Sequence, residues 1–332
     1  MSKRRVLTGI TTSGAPHLGN YVGAIRPAVE ASQSGDYDSF FFLADYHSLI
    51  KCQDPGIVHQ STLEIAAAWL ALGLDPNKVT FYRQSDIPEI PELTWLLTCM
   101  TAKGLVNRAH AYKGAVQLNE ENGDDADFGV TMGLFSYPIL MAADILMFNA
   151  HKIPVGRDQI QHIEMARDIA QRFNHHYGKH FVLPEAQVDD DVAVLQGLDG
   201  RKMSKSYDNY INIFLPDKQL RKVVMKVETD STPLEEPKNP DTCHTFALYK
   251  LLASPAQTDE MKANYLGGNY GYGHAKQALF ELILEKFSHE RTRFDHLMAN
   301  TAEIDAALSI GAQKARSVAQ EVLKRTRTKV GY

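Results

Sequence analysis

Two stretches of this chain hold residue types suited to a phosphate group, and a third holds a carboxylate in an apolar setting. The first is Gly9-Ile10-Thr11-Thr12-Ser13-Gly14-Ala15-Pro16-His17-Leu18-Gly19-Asn20-Tyr21. Small residues let a backbone turn tightly and approach a ligand, and a helix opening after the turn aims unpaired N–H groups and a positive dipole end at an anion. His17 and Asn20 stand three apart, so both can face one oxyanion from the first helical turn. The string is neither GxGxxG nor GxxxxGK[ST], which removes motif support for a dehydrogenase or a P-loop NTPase. A plain capped turn accounts for the same residues, and both readings stand.

The second stretch is Gly197-Leu198-Asp199-Gly200-Arg201-Lys202-Met203-Ser204-Lys205-Ser206. Two lysines in a glycine-flanked loop supply mobile charges for a triphosphate whose charge grows on the leaving pyrophosphate. Gly197 and Gly200 allow the loop to close. A bare KxxK loop reads as solvated surface. In the third stretch, Met141, Asp144, Ile145 and Phe148 fall at i, i+3, i+4 and i+7, which puts one carboxylate in an apolar stripe. Such a carboxylate needs a donor. An indole N–H lodged among apolar walls is one; an arginine or a neighbouring helix end is another.

The elements that position these groups alternate from about residue 5 to 207. Strands are expected at Val6 to Ile10, Ser39 to Ala44, Val79 to Tyr82 and near Ile153, with crossover helices at Ile57 to Leu72 and Asp158 to Phe173. That pattern predicts an α/β fold, a Rossmann-like parallel-sheet nucleotide-binding domain. Pro27 falls where an interior proline kinks or restarts a helix. Beyond Tyr207 strand signals fade, and Leu215 to Val227, Phe246 to Leu252, His274 to Phe287 and Ala302 to Arg325 read as helices. The expected division is 1–208, carrying an acidic insertion at about 117–130 that reads as a solvated loop, and 209–332, all helical, with a Pro/Thr/Asp-rich loop from Thr229 to Thr242.

With 332 residues, 44% of them apolar, and a net charge of only -5, the chain can bury enough surface to fold. No run reaches the roughly 20 apolar residues of a membrane span, since Ile139 to Phe148 is interrupted by Asp144. The basic start runs into a turn instead of a signal-peptide apolar core, so a cytoplasmic location is expected. Cys52, Cys99 and Cys243 are scattered, which predicts neither disulfides nor a zinc or iron–sulfur site. The histidines from Asn174 to His180 read as a solvated turn, and no metal site is expected.

His17-Leu18-Gly19-Asn20 resembles the HIGH-type element of class I aminoacyl-tRNA synthetases, and Lys202 to Ser206 matches their KMSKS element letter for letter, in the same order along the chain. Phe135 to Leu146 followed by Pro154 to His162 resembles the tryptophanyl-tRNA synthetases of bacterial type more than their tyrosyl relatives. The resemblance implies catalytic roles for His17, Asn20, Lys113, Lys202 and Lys205. It places ATP against Thr11, Thr12, Ser13, Gly19, Asn20, Gly156, Arg157, Asp158, Val194, Lys202, Met203, Ser204, Lys205 and Ser206, and tryptophan against Leu7, Asp45, His47, Tyr137, Met141, Asp144 and Gln159. Thr11-Thr12-Ser13 departs from the Gln-Pro-Ser of many relatives, and Arg157 stands where an acidic residue is common.

What the resemblance implies for function is activation of L-tryptophan by ATP with Mg²⁺ held mainly by phosphate oxygens, followed by transfer to the 3' end of tRNA(Trp), in a homodimer that binds neither DNA nor a membrane. The helical part would hold the anticodon. Lys314, Arg316, Lys324, Arg325, Arg327 and Lys329 there form either a tRNA-binding stripe or an ordinary solvated face. A tyrosine-specific synthetase, a small-molecule adenylyltransferase and a non-catalytic tRNA- or tryptophan-binding paralogue are the alternatives.

Overall fold

The computed structural model describes residues 3–12, 14, 16–188 and 195–332, with the backbone alone of Ser206. Five parallel strands form one sheet: β1 (Arg5–Thr11), β2 (Asp38–Ala44), β3 (Thr80–Arg83), β4 (Lys152–Pro154) and β5 (Glu185–Gln187), in the order β3-β2-β1-β4-β5. The order reverses at β1, and in an open parallel sheet that reversal leaves a crevice at the carboxyl ends of the strands. Among the described residues every element after β5 longer than a bridge is helical, so the Rossmann-like sheet followed by helices is as expected.

β2 shows why the sheet is buried on both faces. Its Phe40 and Phe42 point into one core with helices Met132–Met147 and Ile160–Tyr177, while Phe41 and Leu43 point into another with helix Pro55–Ala71. Strict alternation along an all-apolar run gives each face its own cluster. Asp54 caps the Pro55–Ala71 helix by accepting from the Ile57 N–H at 2.9 Å, and Pro55 occupies the first turn, where its missing N–H costs nothing. A third core, built around helix Tyr272–Lys286, fills the helical half and takes in Leu18 and Met203.

Several sequence expectations need correction. β5, three residues long, carries no apolar run and was not anticipated. Helix His110–Asn122 occupies the first part of the supposed acidic loop. Gly123, at φ 80°, ends that helix, and only residues 124–130 form a loop, in which Asp127 accepts from the Tyr112 hydroxyl at 2.8 Å. Pro27 does restart the helix as expected, standing in the first turn of Arg26–Gln33. A π-helical turn at Tyr21–Ile25 widens the coil just before helix Arg26–Gln33, so the ring has no i−4 carbonyl to meet. His180 is not on a solvated turn: its ring lies 5.2 Å from Phe173 and its Nε2 sits 2.8 Å from Thr326 Oγ1.

Helix Thr301–Val330 returns to the sheet instead of staying with the helical half. Its Ala312, Ala315, Ala319, Val322 and Leu323 belong to the core beneath β2. The basic stripe is exposed except for the half-buried Arg316, yet four of its six cations are engaged with the first half. Arg316 pairs with Glu89 at 3.0 Å and Arg327 with Glu92 at 2.7 Å, Lys314 Nζ donates to the Pro76 carbonyl at 3.2 Å, and Lys329 Nζ to that of Tyr177 at 2.9 Å. These charges fasten the helix to the first half.

Gly311 marks the closest approach, because a Cβ there would overlap the Phe81 carbonyl of β3. Gly311→Ala should therefore lower stability by at least about 2 kcal/mol, read as a falling midpoint in thermal or urea denaturation. An unchanged midpoint would mean that the helix and β3 separate without cost.

Candidate active site

At the switch point lies a cleft of ≈ 690 Å³. Leu7, Gly9 and Thr11 of β1 form its floor, Tyr137, Met141 and Ile145 of the Met132–Met147 helix one wall, and Pro154, Gly156, Asp158 and Gln159 after β4 the rim. Gly9 is required for room: a Cβ there would come within 2.8 Å of the Phe42 ring, which also lines the cleft. Apolar side chains share the lining with polar ones, His47, Lys51, His110, Asp158 and Gln159 among them, as in sites that orient a small molecule.

Asp144 lies behind this wall and is 0% exposed. Its carboxylate receives Gln84 Nε2 at 2.8 and 3.0 Å, and His47 Nε2 lies 2.9 Å from Oδ2. Burial pushes the carboxyl up, while the contacts with His47 and Gln84 oppose that. The donor question posed by the sequence thus has an answer in the chain itself, without an arginine or a helix end. His47 reaches Asp144 from the short helix Asp45–Ser48 after β2, and Gln84 from the turn directly after β3.

Tyr137 points its hydroxyl to His162 Nε2 at 2.9 Å, and the buried His162 Nδ1 has no partner among the described residues. An unpaired imidazole nitrogen is tolerated best as a bare acceptor, so His162 carries its proton on Nε2 and donates to Tyr137. Burial, then the nearby His110, lowers the His162 pKa and keeps the ring neutral.

The glycine-rich turn and the lysine loop meet. Lys205 Nζ donates to the Gly14 carbonyl at 2.8 Å, and the Leu18 N–H donates to Ile211 O at 2.8 Å. The His17 ring lies 5.6 Å from that of Tyr210, and the bare Cα of Gly19 leaves room for Met203, whose sulfur lies 3.4 Å from where a Cβ would stand. His17 and Asn20 form a capping box: Asn20 N donates to His17 Nδ1 at 3.3 Å, and His17 N donates to Asn20 Oδ1 at 3.0 Å. With Nδ1 accepting, neutral His17 presents an Nε2–H donor. Burial, and then the Lys205 ammonium, hold His17 down to about 4. Burial lowers Lys205 to about 8.

A family description, tRNA synthetases class I (W and Y), matches residues 1–288 of the chain. The chain belongs to this family. A tryptophan–tRNA ligase of Neisseria meningitidis is 58% identical over 332 residues, 100% of this chain and 98% of that one. One of Pseudomonas putida is 59% identical over 330 residues, 98% of this chain and 73% of that one. The crystal structure of tryptophanyl-tRNA synthetase from Campylobacter jejuni complexed with ADP and tryptophane superimposes with a TM-score of 0.92 at 44% identity, covering 99% of this chain and 100% of the other.

The class I architecture gathers most of the residues singled out in the sequence. Leu7, Thr11, His47, Tyr137, Met141, Gly156, Asp158 and Gln159 all line the cleft. Thr12 does not: it is 1% exposed and its hydroxyl lies 2.6 Å from that of Ser48. Asp45 also stays outside the lining, where it accepts from the Ser85 N–H at 3.0 Å and from the Ser85 hydroxyl, pinning the residue next to Gln84. Lys113 and Lys202 are exposed and apart from the lining, and Arg157 is exposed at the rim. Ser13 and Val194 lie outside the described residues. Sequence reasoning missed Gln84, His162 and Gly9. For Gln84 the signal was available, a polar residue at the carboxyl end of an apolar strand.

Asn209, 3% exposed, ties the lysine loop: its Nδ2 donates to Asp199 Oδ1 at 2.6 Å and Lys202 O at 3.1 Å, and its Oδ1 accepts from Ser204 N at 2.8 Å. Asn209→Ala should cost the loop about 1–3 kcal/mol and speed tryptic cleavage at Arg201, Lys202 or Lys205 by about tenfold or more. Cleavage at the wild-type rate would show the loop shaped by something else.

Proposed function

We propose that this chain is a tryptophan–tRNA ligase, an aminoacyl-tRNA synthetase that converts L-tryptophan and ATP to tryptophanyl-adenylate and pyrophosphate and then charges the 3' end of tRNA(Trp). One observation carries the reading. The His17 turn and the lysine loop are joined, Lys205 on Gly14, at the end of the same strand whose Leu7, Gly9 and Thr11 floor the cleft. A tryptophan in the cleft and a nucleotide at the joint would meet at the carboxyl edge of β1.

In the first step a tryptophan carboxylate oxygen attacks the α-phosphorus in line and the bond to pyrophosphate breaks. The protein supplies no nucleophile, only alignment and charge. The indole enters between Leu7 and Met141, and its N–H is offered to Asp144, sharing the carboxylate with His47. Asp45 shapes the pocket through its hold on Ser85. Tyr137 and Gln159 take the ammonium and carboxylate end. Tyr137 is suited to this because His162 donates to its oxygen and leaves that oxygen's remaining lone pair for an ammonium.

The nucleotide lies against Thr11, Gly19, Asn20 and the Gly156-Arg157-Asp158 rim, with Met203, Ser204 and Ser206 closing from the loop. His17 Nε2–H, Lys202, Lys205 and Lys113 stabilise the growing phosphate charge. Asn20 acts mainly by fixing His17, since its oxygen is already bound to the His17 backbone. Mg²⁺ arrives with ATP on phosphate oxygens, as that strongly hydrated ion prefers.

The transfer step brings a single-stranded tRNA end to the sheet edge. The helical half, 209–332, holds the anticodon; four cations of helix Thr301–Val330 are engaged with the first half, while Lys324 and Arg325 stay exposed for tRNA phosphates. The reading includes a homodimer and a cytoplasmic location.

Amino-acid-dependent ATP–pyrophosphate exchange tests the assignment. Tryptophan should support exchange and tyrosine should not, and the reverse preference would overturn it. Lys202→Ala should slow adenylate formation in a single turnover by about 10²–10³, while leaving it intact would remove Lys202 from the mechanism. Lys205 is charged below about 8 and neutral above. Since kcat/KM for ATP reports the free enzyme, it should fall as pH rises through about 8. Lys205→Arg should carry that limb to higher pH, and a limb that stays in place belongs to another group.

A further inference from the structure

Gln84 is a fully buried amide with both ends committed. Its Oε1 accepts from the Tyr46 N–H at 3.1 Å, and its Nε2 donates to Oδ1 and Oδ2 of Asp144. Flipping the amide would set an acceptor against the carboxylate and a donor against an N–H, so this network fixes its orientation. Both of its ends are held in place: Asp45 holds the Ser85 backbone on one side, and the Tyr46 N–H holds the amide on the other. Ordering a long polar side chain in a dry site costs rotamer entropy and desolvation that a leucine of similar volume would avoid. Packing alone does not call for glutamine here.

Asp144 lies behind His47, which lines the cleft and contacts Oδ2, an oxygen that also accepts from Gln84; Oδ1 has Gln84 as its partner among the described residues. We infer that Gln84 is a positioning residue for amino-acid specificity, which holds the Asp144 carboxylate in plane and in acceptor form so that Oδ2 is presented to a ring N–H on the substrate. This rests on the reading that Asp144 receives the indole N–H. Gln84 itself does not touch the substrate. Without its two donated bonds the buried carboxylate takes up a proton or rotates toward His47, and in either case the cleft loses its acceptor.

The test is pyrophosphate exchange by the full chain with tryptophan and with β-(1-benzothiophen-3-yl)alanine, which carries sulfur where the indole has N–H. Two variants are used. Gln84→Met and Gln84→Leu both remove the amide and leave an apolar side chain of similar size, so either one decides the matter if the other does not fold. The wild type should prefer tryptophan strongly. In the variants kcat/KM for tryptophan should drop by about tenfold to hundredfold, mostly through KM, with little change for the analogue, so that the preference collapses. Equal losses for both substrates would make Gln84 a merely structural residue and overturn the inference. A wild type that does not distinguish the two substrates would instead defeat the Asp144 reading on which it stands.

Discussion

A carboxylate with 0% exposure survives as an ion only if the fold brings donors to it, and Asp144 obtains them from two other strand ends. That requirement sets much of the molecule. His47 follows β2 and Gln84 follows β3, and only a sheet in which β2 and β3 are neighbours can deliver both to one point. Helix Met132–Met147 must then lie over the same edge with its apolar face inward, which places Met141 and Ile145 along the cleft. Charge and cleft are consequences of one packing arrangement. The polar cluster gives the site a directional feature.

On the other side of β1 the constraint is electrostatic. A lysine and a histidine share a confined space, and the histidine yields, staying neutral because burial and the Lys205 charge both oppose its protonation. The arrangement makes the two groups different kinds of donor, one a formal charge and the other a dipole with its proton on a defined nitrogen. The capping box decides which nitrogen, since Nδ1 is already taken by the Asn20 N–H.

The sequence made legible what depends on local pattern. The apolar runs of β1, β2 and β3, the long helices, the turn around His17 and the lysine loop could all be read from composition and spacing, and the resemblance joined the last two. What escaped depends on distant partners. β5 is three residues whose pairing with β4, not their own propensity, makes them a strand. The basic residues from Lys314 onward look like a nucleic-acid surface in one dimension, and only the approach of Glu89, Glu92 and the 76–79 carbonyls shows Lys314, Arg316 and Arg327 to be fasteners. Gln84 carried no motif, because its importance comes from a carboxylate sixty positions away.

The return of helix Thr301–Val330 to β3 has a consequence for how the protein is made. β3 is an edge strand, and the helix covers it. During synthesis the ribosome releases β1, β2 and β3 long before that helix exists, so a nascent sheet spends the interval with an apolar face and an unpaired border open to other chains. Sealing by helix Thr301–Val330 makes completion of the nucleotide-binding half wait for a segment synthesised long after β3. It also exposes a truncated product of premature termination to aggregation and proteolysis.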